Sequence, residues 1–230
     1  MIDTTIETNT KILPAKYPRI KENFYAFGYG SDEEPKTSMW MSSILLGMGS
    51  HFKEGMIVYD YGCGAGRLCN FIASQLKDFE YYGTEPHGSN EQHGEKSIQL
   101  AQDNFGQDPR IHLGFIGEDI EQLAISKASV AVLGSIYTHL SIEAFNAIND
   151  KLLPIIERGG VIIFSAIIKE KYELLRNFAH GFDGCYGEAH YTVQQLLDYV
   201  SSRKLNIKHV GKFDVGVSFR THYIFRMDHI

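Results

Sequence analysis

A glycine-rich stretch is the clearest chemical signal in this sequence. It reads Asp60-Tyr-Gly-Cys-Gly-Ala-Gly66 and places a glycine at every second position from 62 to 66. Glycine tolerates a positive φ and has no Cβ, so a ligand can approach such a backbone closely. A helix predicted to begin at Arg67 would offer its first N–H groups and its positive dipole end to the same ligand. The stretch therefore predicts a loop that binds a nucleotide-like molecule.

A carboxylate and two absent motifs narrow the ligand. Glu85 stands at the predicted end of the next strand, where a carboxylate can accept hydrogen bonds from both hydroxyls of a ribose. The dinucleotide fingerprint requires a glycine where this chain has Arg67, and the P-loop requires a Gly-Lys-Ser or Gly-Lys-Thr string that does not follow the glycines. The loop thus fits neither of these phosphate-binding motifs.

The pattern Asp-x-Gly-x-Gly-x-Gly instead resembles the first motif of class I S-adenosylmethionine-dependent methyltransferases. Further segments resemble later motifs of that family in the same order: Tyr82-Gly-Thr-Glu-Pro86, Gly117-Glu-Asp-Ile120, Val132-Leu-Gly-Ser-Ile-Tyr-Thr-His-Leu140 and Leu153-Pro-Ile-Ile-Glu-Arg-Gly-Gly-Val161. The resemblance covers residues 55–228. It departs at Ser129, where many members have Asp, and at Arg158, where the family has proline before the paired glycines.

The resemblance implies S-adenosylmethionine as cofactor, S-adenosylhomocysteine as product, and a set of residues that hold the cofactor. Asp60 would fix the loop near the cofactor's amino group, Glu85 would bind the ribose, and Asp119 would contact the adenine amine. Cys63 has no histidine close by in sequence, so we expect a small structural residue there and not a nucleophile. The full set expected at the cofactor is Asp60, Tyr61, Gly62, Cys63, Gly64, Gly66, Glu85, Pro86, Glu118, Asp119, Gly134 and Ser135.

Candidate residues for the acceptor side follow the later strands and precede the core. His139 comes after the fourth strand, and an ordinary histidine pKa near 6.5 suits a general base; the alternative is that it caps the next helix. His190 and Tyr191 lie in a segment that lines the acceptor pocket in the resembled family. The aromatic residues of the N-terminal stretch either form a lid over the acceptor or pack a helix onto the sheet: Tyr25, Tyr29 and Trp40.

Alternating strands and helices must position these residues. Strands are predicted over 56–60, 79–84, 110–115, 130–133, 161–164, 207–210 and 218–227, and helices over 38–52, 67–79, 96–105, 141–153 and 192–203. This alternation predicts an α/β fold: a doubly wound, mostly parallel seven-stranded sheet with helices on both faces. A short connection at Gly211 or Gly216 favours an antiparallel final strand. Residues 1–54 are expected to form a tail and a short helical lid, and residues 55–230 the Rossmann-like domain.

Composition excludes several functional classes. A net charge of -6 gives no electrostatic footprint for a nucleic acid, and Gly134-Ser-Ile-Tyr137 lacks the prolines of the base-methylating string. Three cysteines give no disulfide framework, no metal site is expected, and free thiols fit the cytoplasm. The sequence has no apolar run long enough to span a membrane. It leaves open whether the protein is a monomer or a homodimer.

These observations predict transfer of a methyl group from S-adenosylmethionine to a small-molecule acceptor, with a hydroxyl ahead of an amine. The family resemblance leaves protein, glycan and nucleic-acid acceptors as alternatives. A further alternative is a non-catalytic subunit that binds the cofactor and serves a partner. Retention of the glycines and of Glu85 argues against this last reading.

Overall fold

The computed structural model describes residues 43–86, 94–117, 127–175, 188–215 and 220–229. Within these ranges the strands are β1 (Met56–Tyr61), β2 (Phe79–Glu85), β3 (Ile111–Phe115), β4 (Ala128–Leu133), β5 (Ile156–Ile168), β6 (Glu173–Leu175), β7 (Glu188–Tyr191), β8 (Asn206–Val215) and β9 (Arg220–Asp228). The helices are α1 (Arg67–Gln75), α2 (Gly94–Phe105), α3 (Ile142–Leu152) and α4 (Val193–Ser202). Residues 43–48 are also helical, and a 3-10 turn, Gly49–His51, follows them.

One mixed sheet organises these elements. Its parallel part has the order β3-β2-β1-β4-β5. β2 and β3 are thus added on one side of β1, and β4 and β5 on the other, so the order of the strands reverses between β1 and β4. β9 pairs antiparallel with β5, and β8 pairs antiparallel with β9. The predicted fold, with its antiparallel final strand, is therefore confirmed.

Two short strands that the sequence pattern did not predict extend this arrangement. β7 pairs in parallel with the last two residues of β5, and β6 pairs antiparallel with β7. The pair thus continues the sheet beyond the carboxyl end of β5, at the edge where ligands bind in open α/β sheets.

Helices cover both faces of the sheet. On one face, α1, α2 and the helical segment 43–48 bury residues such as Leu68, Phe105 and Ile44 against β1, β2 and β5. On the other face, α3 and α4 bury Phe145 and Leu196 with an aromatic group that includes residues of β5 and β9. Both faces of the central strands are covered, which is why those strands are nearly all apolar.

The helical segment 43–48 lies directly on the sheet. A Cβ on Gly47 would stand 3.0 Å from the Ile163 side chain, and one on Gly211 would stand 2.8 Å from Ser43 Oγ. The Arg226 guanidinium donates to the Gly47 carbonyl at 3.0 Å. Glycines on the helix and on β8 therefore allow close backbone approach, and this part of the predicted 38–52 helix does pack in front of the core. Residues 1–42 lie outside the described residues, and the predicted lid stays a prediction.

Two strand boundaries differ from expectation. The fifth strand is predicted over 161–164, but β5 begins at Ile156 and runs through Gly159 and Gly160. A positive φ at Gly159 and a register shift against β4 show an irregularity that the strand absorbs. Likewise β8 continues through Gly211 with a register shift there, so that glycine does not end the strand.

Candidate functional site

The glycine loop is tied to the end of β2. The N–H groups of Gly62 and Cys63 both donate to the Thr84 carbonyl, at 2.7 and 3.0 Å. Gly62, Gly64 and Gly66 all have positive φ, between 56° and 85°. A Cβ on Gly62 would overlap the Ile136 side chain, so a larger residue is excluded on both conformational and steric grounds.

The same loop opens α1. Gly66 is the N-cap residue in the left-handed conformation, and without a side chain it makes no capping hydrogen bond to the helix. A Cβ there would lie 2.6 Å from the Phe105 ring of α2. The loop thus directs the positive end of α1 toward the carboxyl edge of the sheet, where an anionic or polar ligand group is favoured.

Two carboxylates stand beside the loop at the ends of β1 and β2. Asp60 is buried and accepts a hydrogen bond from the Tyr81 hydroxyl. Burial raises the pKa of Asp60 to about 7, against the opposing effect of that hydrogen bond. Glu85 is partly buried, and its Oε1 accepts a hydrogen bond from the Gly64 N–H. Burial and then the nearby Asp60 charge raise the pKa of Glu85 to about 7, while the Gly64 bond lowers it.

Cys63 has no sign of nucleophilic activation. It is buried, its Sγ donates to the Gly64 carbonyl at 3.6 Å, and a Cβ on Gly83 would stand 3.0 Å from that sulfur. Burial and the nearby carboxylates of Glu85 and Asp60 raise the pKa of its thiol well above the ordinary value, which disfavours the reactive thiolate.

The loop after β4 forms the adjacent wall. Ser135 has a positive φ of 62°, and its N–H donates to Ser165 Oγ of β5 at 2.7 Å. The Thr138 hydroxyl donates back to the Ser135 carbonyl at 2.7 Å. This turn presents Gly134 and Ser135 at the carboxyl edge and carries His139, which is half-buried and whose N–H donates to the Ile136 carbonyl at 3.1 Å.

β7 braces this loop. The Ala189 N–H donates to the Thr138 carbonyl at 2.8 Å. Tyr191 is fully buried, packs on Phe145, and donates its hydroxyl to the Leu140 carbonyl. Tyr191 therefore supports the loop from the core side. His190, the residue before it and the other residue of this strand predicted on the acceptor side, has a different environment.

His190 lines a groove at the carboxyl end of β5. The groove has a volume of about 1120 Å³ and is lined by Ile168, Lys169, Glu170, Lys171, Glu173, His190, Thr192, Val193 and Gln194. His190 is only 7% exposed, and its Nε2 lies 2.7 Å from Glu188 Oε2. Its Nδ1 lies 3.5 Å from Glu173 Oε2. The sequence prediction included neither glutamate, because a strand at 188–191 would have been needed to place Glu188 and His190 on one face.

The structure brings together part of the predicted site. The predicted residues that lie at or just after the carboxyl ends of β1, β2 and β4 are the glycine loop, Asp60, Tyr61, Glu85, Pro86, Gly134, Ser135 and His139. Five predicted residues lie outside the described residues: Tyr25, Tyr29, Trp40, Glu118 and Asp119. Among the described residues, no group of three or more His, Cys, Asp and Glu side chains could hold a metal ion, and no helix is long and apolar enough to cross a membrane.

Solved structures that resemble this one include methyltransferases. One is the 1,6-didemethyltoxoflavin-N1-methyltransferase of Burkholderia thailandensis with S-adenosylhomocysteine bound, with a TM-score of 0.62, 13% identity, and coverage of 91% of this chain and 87% of that one. Another is the magnesium protoporphyrin IX methyltransferase of Synechocystis with S-adenosylmethionine bound, with a TM-score of 0.58, 15% identity, and coverage of 93% and 92%. This chain has the class I S-adenosylmethionine-dependent methyltransferase fold. The resemblance drawn from its sequence motifs is thereby confirmed.

Curated relatives found by sequence are more similar to this chain than these structures are, but they are longer than the chain. The chain is 26% identical over 157 residues to the ribosomal protein L11 methyltransferase of Caldanaerobacter subterraneus subsp. tengcongensis, a match that covers 68% of this chain and 45% of that protein. It is 27% identical over 162 residues to the protein of the same name from Streptococcus agalactiae, covering 67% and 43%. The chain thus matches less than half the length of these relatives. No protein-family model matches it.

Proposed function

We propose that this chain is an S-adenosylmethionine-dependent methyltransferase. The observation that carries the proposal is the joining of the glycine loop to Glu85 through the Gly64 N–H, at the carboxyl edge of a methyltransferase-type sheet. That contact brings the glycines of the loop, which have no Cβ, and a carboxylate together at one edge of the sheet. The carboxylate can accept hydrogen bonds from ribose hydroxyls, and the N–H groups at the start of α1 suit the charged amino acid end of the same molecule.

Each part of the site takes one part of the cofactor in this proposal. Glu85 accepts hydrogen bonds from the ribose hydroxyls, and the loop from Gly62 to Gly66 allows close backbone approach. Asp60 holds the loop near the amino group, and Gly134 with Ser135 lines the opposite wall. We assign the adenine amine to Asp119 from the sequence resemblance. When bound, the cofactor supplies a methyl group on a sulfonium that an aligned nucleophile displaces in line.

For the acceptor we propose a small molecule methylated on a hydroxyl. The open groove beside β5 admits such a molecule, and His139 belongs to the loop that is hydrogen-bonded to β7, the strand whose His190 lines this groove. We propose His139 as the base that takes the hydroxyl proton while the oxygen attacks the methyl. Tyr25, Tyr29 and Trp40 would cover the acceptor from the N-terminal side. Buried free thiols at Cys63 and Cys69 support a reducing, cytoplasmic setting.

A protein acceptor is the second candidate. It is supported by the two ribosomal protein L11 methyltransferases, whose similarity spans most of this chain. The small-molecule methyltransferases among the structural neighbours support the first candidate instead. The two are separated by offering tritiated S-adenosylmethionine with either a panel of phenols, sugars and hydroxy acids or purified ribosomal protein L11. Label on the protein alone would overturn the small-molecule proposal.

Calorimetry tests the cofactor first. We expect S-adenosylmethionine to bind the wild-type chain and Glu85→Gln to weaken binding by roughly 10- to 100-fold, since hydrogen bonds to a charged group contribute about 1.5–3 kcal/mol. Glu80→Gln is the matched control, because Glu80 lies on the same strand with an exposed side chain that bonds the Tyr82 hydroxyl. Binding of a nicotinamide nucleotide without any affinity for S-adenosylmethionine would contradict the proposal.

A rate measurement tests His139. With a hydroxyl acceptor identified from the panel, His139→Ala is expected to lower the methylation rate by about 10²–10⁴-fold, the usual contribution of a general base. The cofactor affinity of the same variant should stay close to wild type. An unchanged rate at saturating acceptor would remove the base role and leave His139 as a structural residue of the loop.

A further inference from the structure

The β6–β7 hairpin carries a buried polar cluster that the cofactor site does not use. Glu188 and His190 are two residues apart on β7, so their side chains stand on the same face of the strand. Glu173 of β6 is paired directly with His190 and shares that face. Glu188 is 8% exposed and His190 is 7% exposed, whereas the Glu173 side chain is 54% exposed. The cluster therefore reaches from the buried strand into the groove.

Hydrogen bonding fixes which nitrogen of a neutral His190 ring carries the proton. Glu188 Oε2 lies 2.7 Å from His190 Nε2, and an ionised carboxylate can only accept, so the proton of a neutral ring resides on Nε2. Nδ1 then presents a lone pair. It has no hydrogen-bond partner among the described residues, although Glu173 Oε2 is 3.5 Å away. Two hydrogen-bond acceptors thus face each other at the groove, and no described residue places a donor between them.

We propose that this pair of acceptors, His190 Nδ1 and Glu173 Oε2, is a binding subsite for a primary ammonium group. An ammonium carries three N–H donors and a positive charge, so it can donate to both atoms at once. A hydroxyl has one proton and can satisfy only one of them. Leaving a buried acceptor such as Nδ1 unpaired is costly, which favours a ligand that supplies the donor.

The charges around the groove favour a single cation. The strand hairpin contributes the carboxylates of Glu173 and Glu188, and the loop before it contributes Lys169, Glu170 and Lys171. The groove residues at the start of α4 are uncharged: Thr192, Val193 and Gln194. With His190 neutral, the charges of these described groups sum to one net negative charge, which one ammonium neutralises.

The position of the subsite gives it a role in acceptor recognition. The Ala189 N–H donates to Thr138, so the strand that carries His190 adjoins the loop that carries His139. An acceptor held by its ammonium group at His190 would extend toward that loop with its methyl-accepting atom. This role rests on the proposed methyl transfer and specifies the acceptor as an amine-bearing molecule. Binding of ammonium itself does not depend on that proposal.

Histidine-ring NMR tests the subsite on the full chain without cofactor. Long-range proton–nitrogen spectra at pH 8, assigned with His190→Gln, should show His190 with its proton on Nε2. Methylammonium chloride should then shift the Nδ1 resonance along a saturable curve. Tetramethylammonium chloride at equal ionic strength has no N–H donor and should leave it in place.

Two matched variants show where the ammonium binds. Glu173→Gln should weaken the methylammonium affinity by roughly tenfold, the value of a lost charge-assisted hydrogen bond. Glu170→Gln removes the same charge from the groove without touching His190 and should change the affinity less than about twofold. A His190 ring protonated on both nitrogens before ligand is added, or an equal shift with tetramethylammonium, would overturn the subsite. Retained S-adenosylmethionine binding in either case would leave the proposed function standing.

Discussion

Asp60 and Glu85 show how single residues prepare the site for a ligand. Burial raises the pKa of both carboxylates to about 7, and among the described residues the Tyr81 hydroxyl donates to Asp60 and the Gly64 N–H donates to Glu85. A carboxylate in this state gains from any further hydrogen-bond donor that favours its ionised form. The ribose hydroxyls of the proposed cofactor are such donors.

Cofactor binding should therefore depend on pH through Glu85. Only the ionised carboxylate accepts from both ribose hydroxyls, so below a pKa of about 7 binding must first remove a proton. We expect the S-adenosylmethionine affinity to fall by up to about tenfold per pH unit between pH 7 and pH 5, measured by calorimetry. Glu85→Gln should bind weakly with a flatter pH profile. A wild-type affinity that is constant over this range would show that Glu85 does not titrate on binding.

Individual site residues are predicted well from the sequence where one short stretch of the chain contains the whole motif. The three glycines and Glu85 lie at the expected strand ends, because a glycine loop after a buried strand has few alternative conformations. Glu173 and Glu188 were missed because their proximity to His190 depends on strand pairing, which no short pattern around them indicates. Asp119 and the N-terminal aromatic residues lie outside the described residues.

The turn from β1 into α1 depends on Gly66. A non-glycine residue at its φ of 85° costs about 1–2 kcal/mol, and a Cβ would also stand 2.6 Å from the Phe105 ring. We expect Gly66→Ala to lower the free energy of unfolding by about 2–5 kcal/mol, since overpacking adds about 1–3 kcal/mol. Denaturant unfolding measures this change.

Gly159 provides the control for that measurement. Its φ of 82° is nearly the same, but no described atom lies within 4 Å of a Cβ placed there. Gly159→Ala should therefore lower the free energy of unfolding only by the cost of a positive φ, about 1–2 kcal/mol. Equal losses in the two variants would mean that the contact between Gly66 and Phe105 contributes nothing to stability.

The start of α4 depends on a reciprocal cap. Gln195 donates its N–H to the Thr192 hydroxyl at 3.3 Å, and the Thr192 N–H donates to the Gln195 side chain at 2.9 Å. Thr192→Ala should lower the free energy of unfolding by about 1 kcal/mol. Thr192→Ser keeps the hydroxyl and should stay near wild type in the same denaturant titration. A loss as large with serine as with alanine would assign the effect to the missing methyl group.

Long elements and short ones differ in how far sequence predicts them. The β8–β9 hairpin was expected from two apolar stretches with a glycine between them, and nine residue pairs form it. β6 has three residues and β7 has four, too few for a periodic pattern. They form because β5 extends four residues past its last pairing with β4 and offers its free edge there. Their formation is a tertiary effect.

At the scale of the whole molecule, ionisable groups act on stability in opposite directions. Asp150 has its pKa lowered by the Arg203 hydrogen bond, so its stabilising effect is lost as the pH falls. Asp60 and Glu85 have raised pKa values, so the folded chain binds more protons than the unfolded chain between their unfolded values near 4 and about 7. Their contribution therefore makes the folded state less stable as the pH rises through this window.

Comparing a double variant with wild type isolates that contribution. Asp60→Asn combined with Glu85→Gln removes both titrations, so the variant should gain stability relative to wild type as the pH rises from 4 to 7, with no further gain above it. Each pKa unit corresponds to about 1.4 kcal/mol, so the two shifts together set an upper limit of about 8 kcal/mol for the relative gain across the window. Denaturant unfolding of cofactor-free protein at several pH values measures the difference, and Glu80→Gln should follow the wild-type profile. A difference that does not change with pH would mean that folding leaves the pKa values of both carboxylates unshifted, in which case the site holds its charges at neutral pH without help from a ligand.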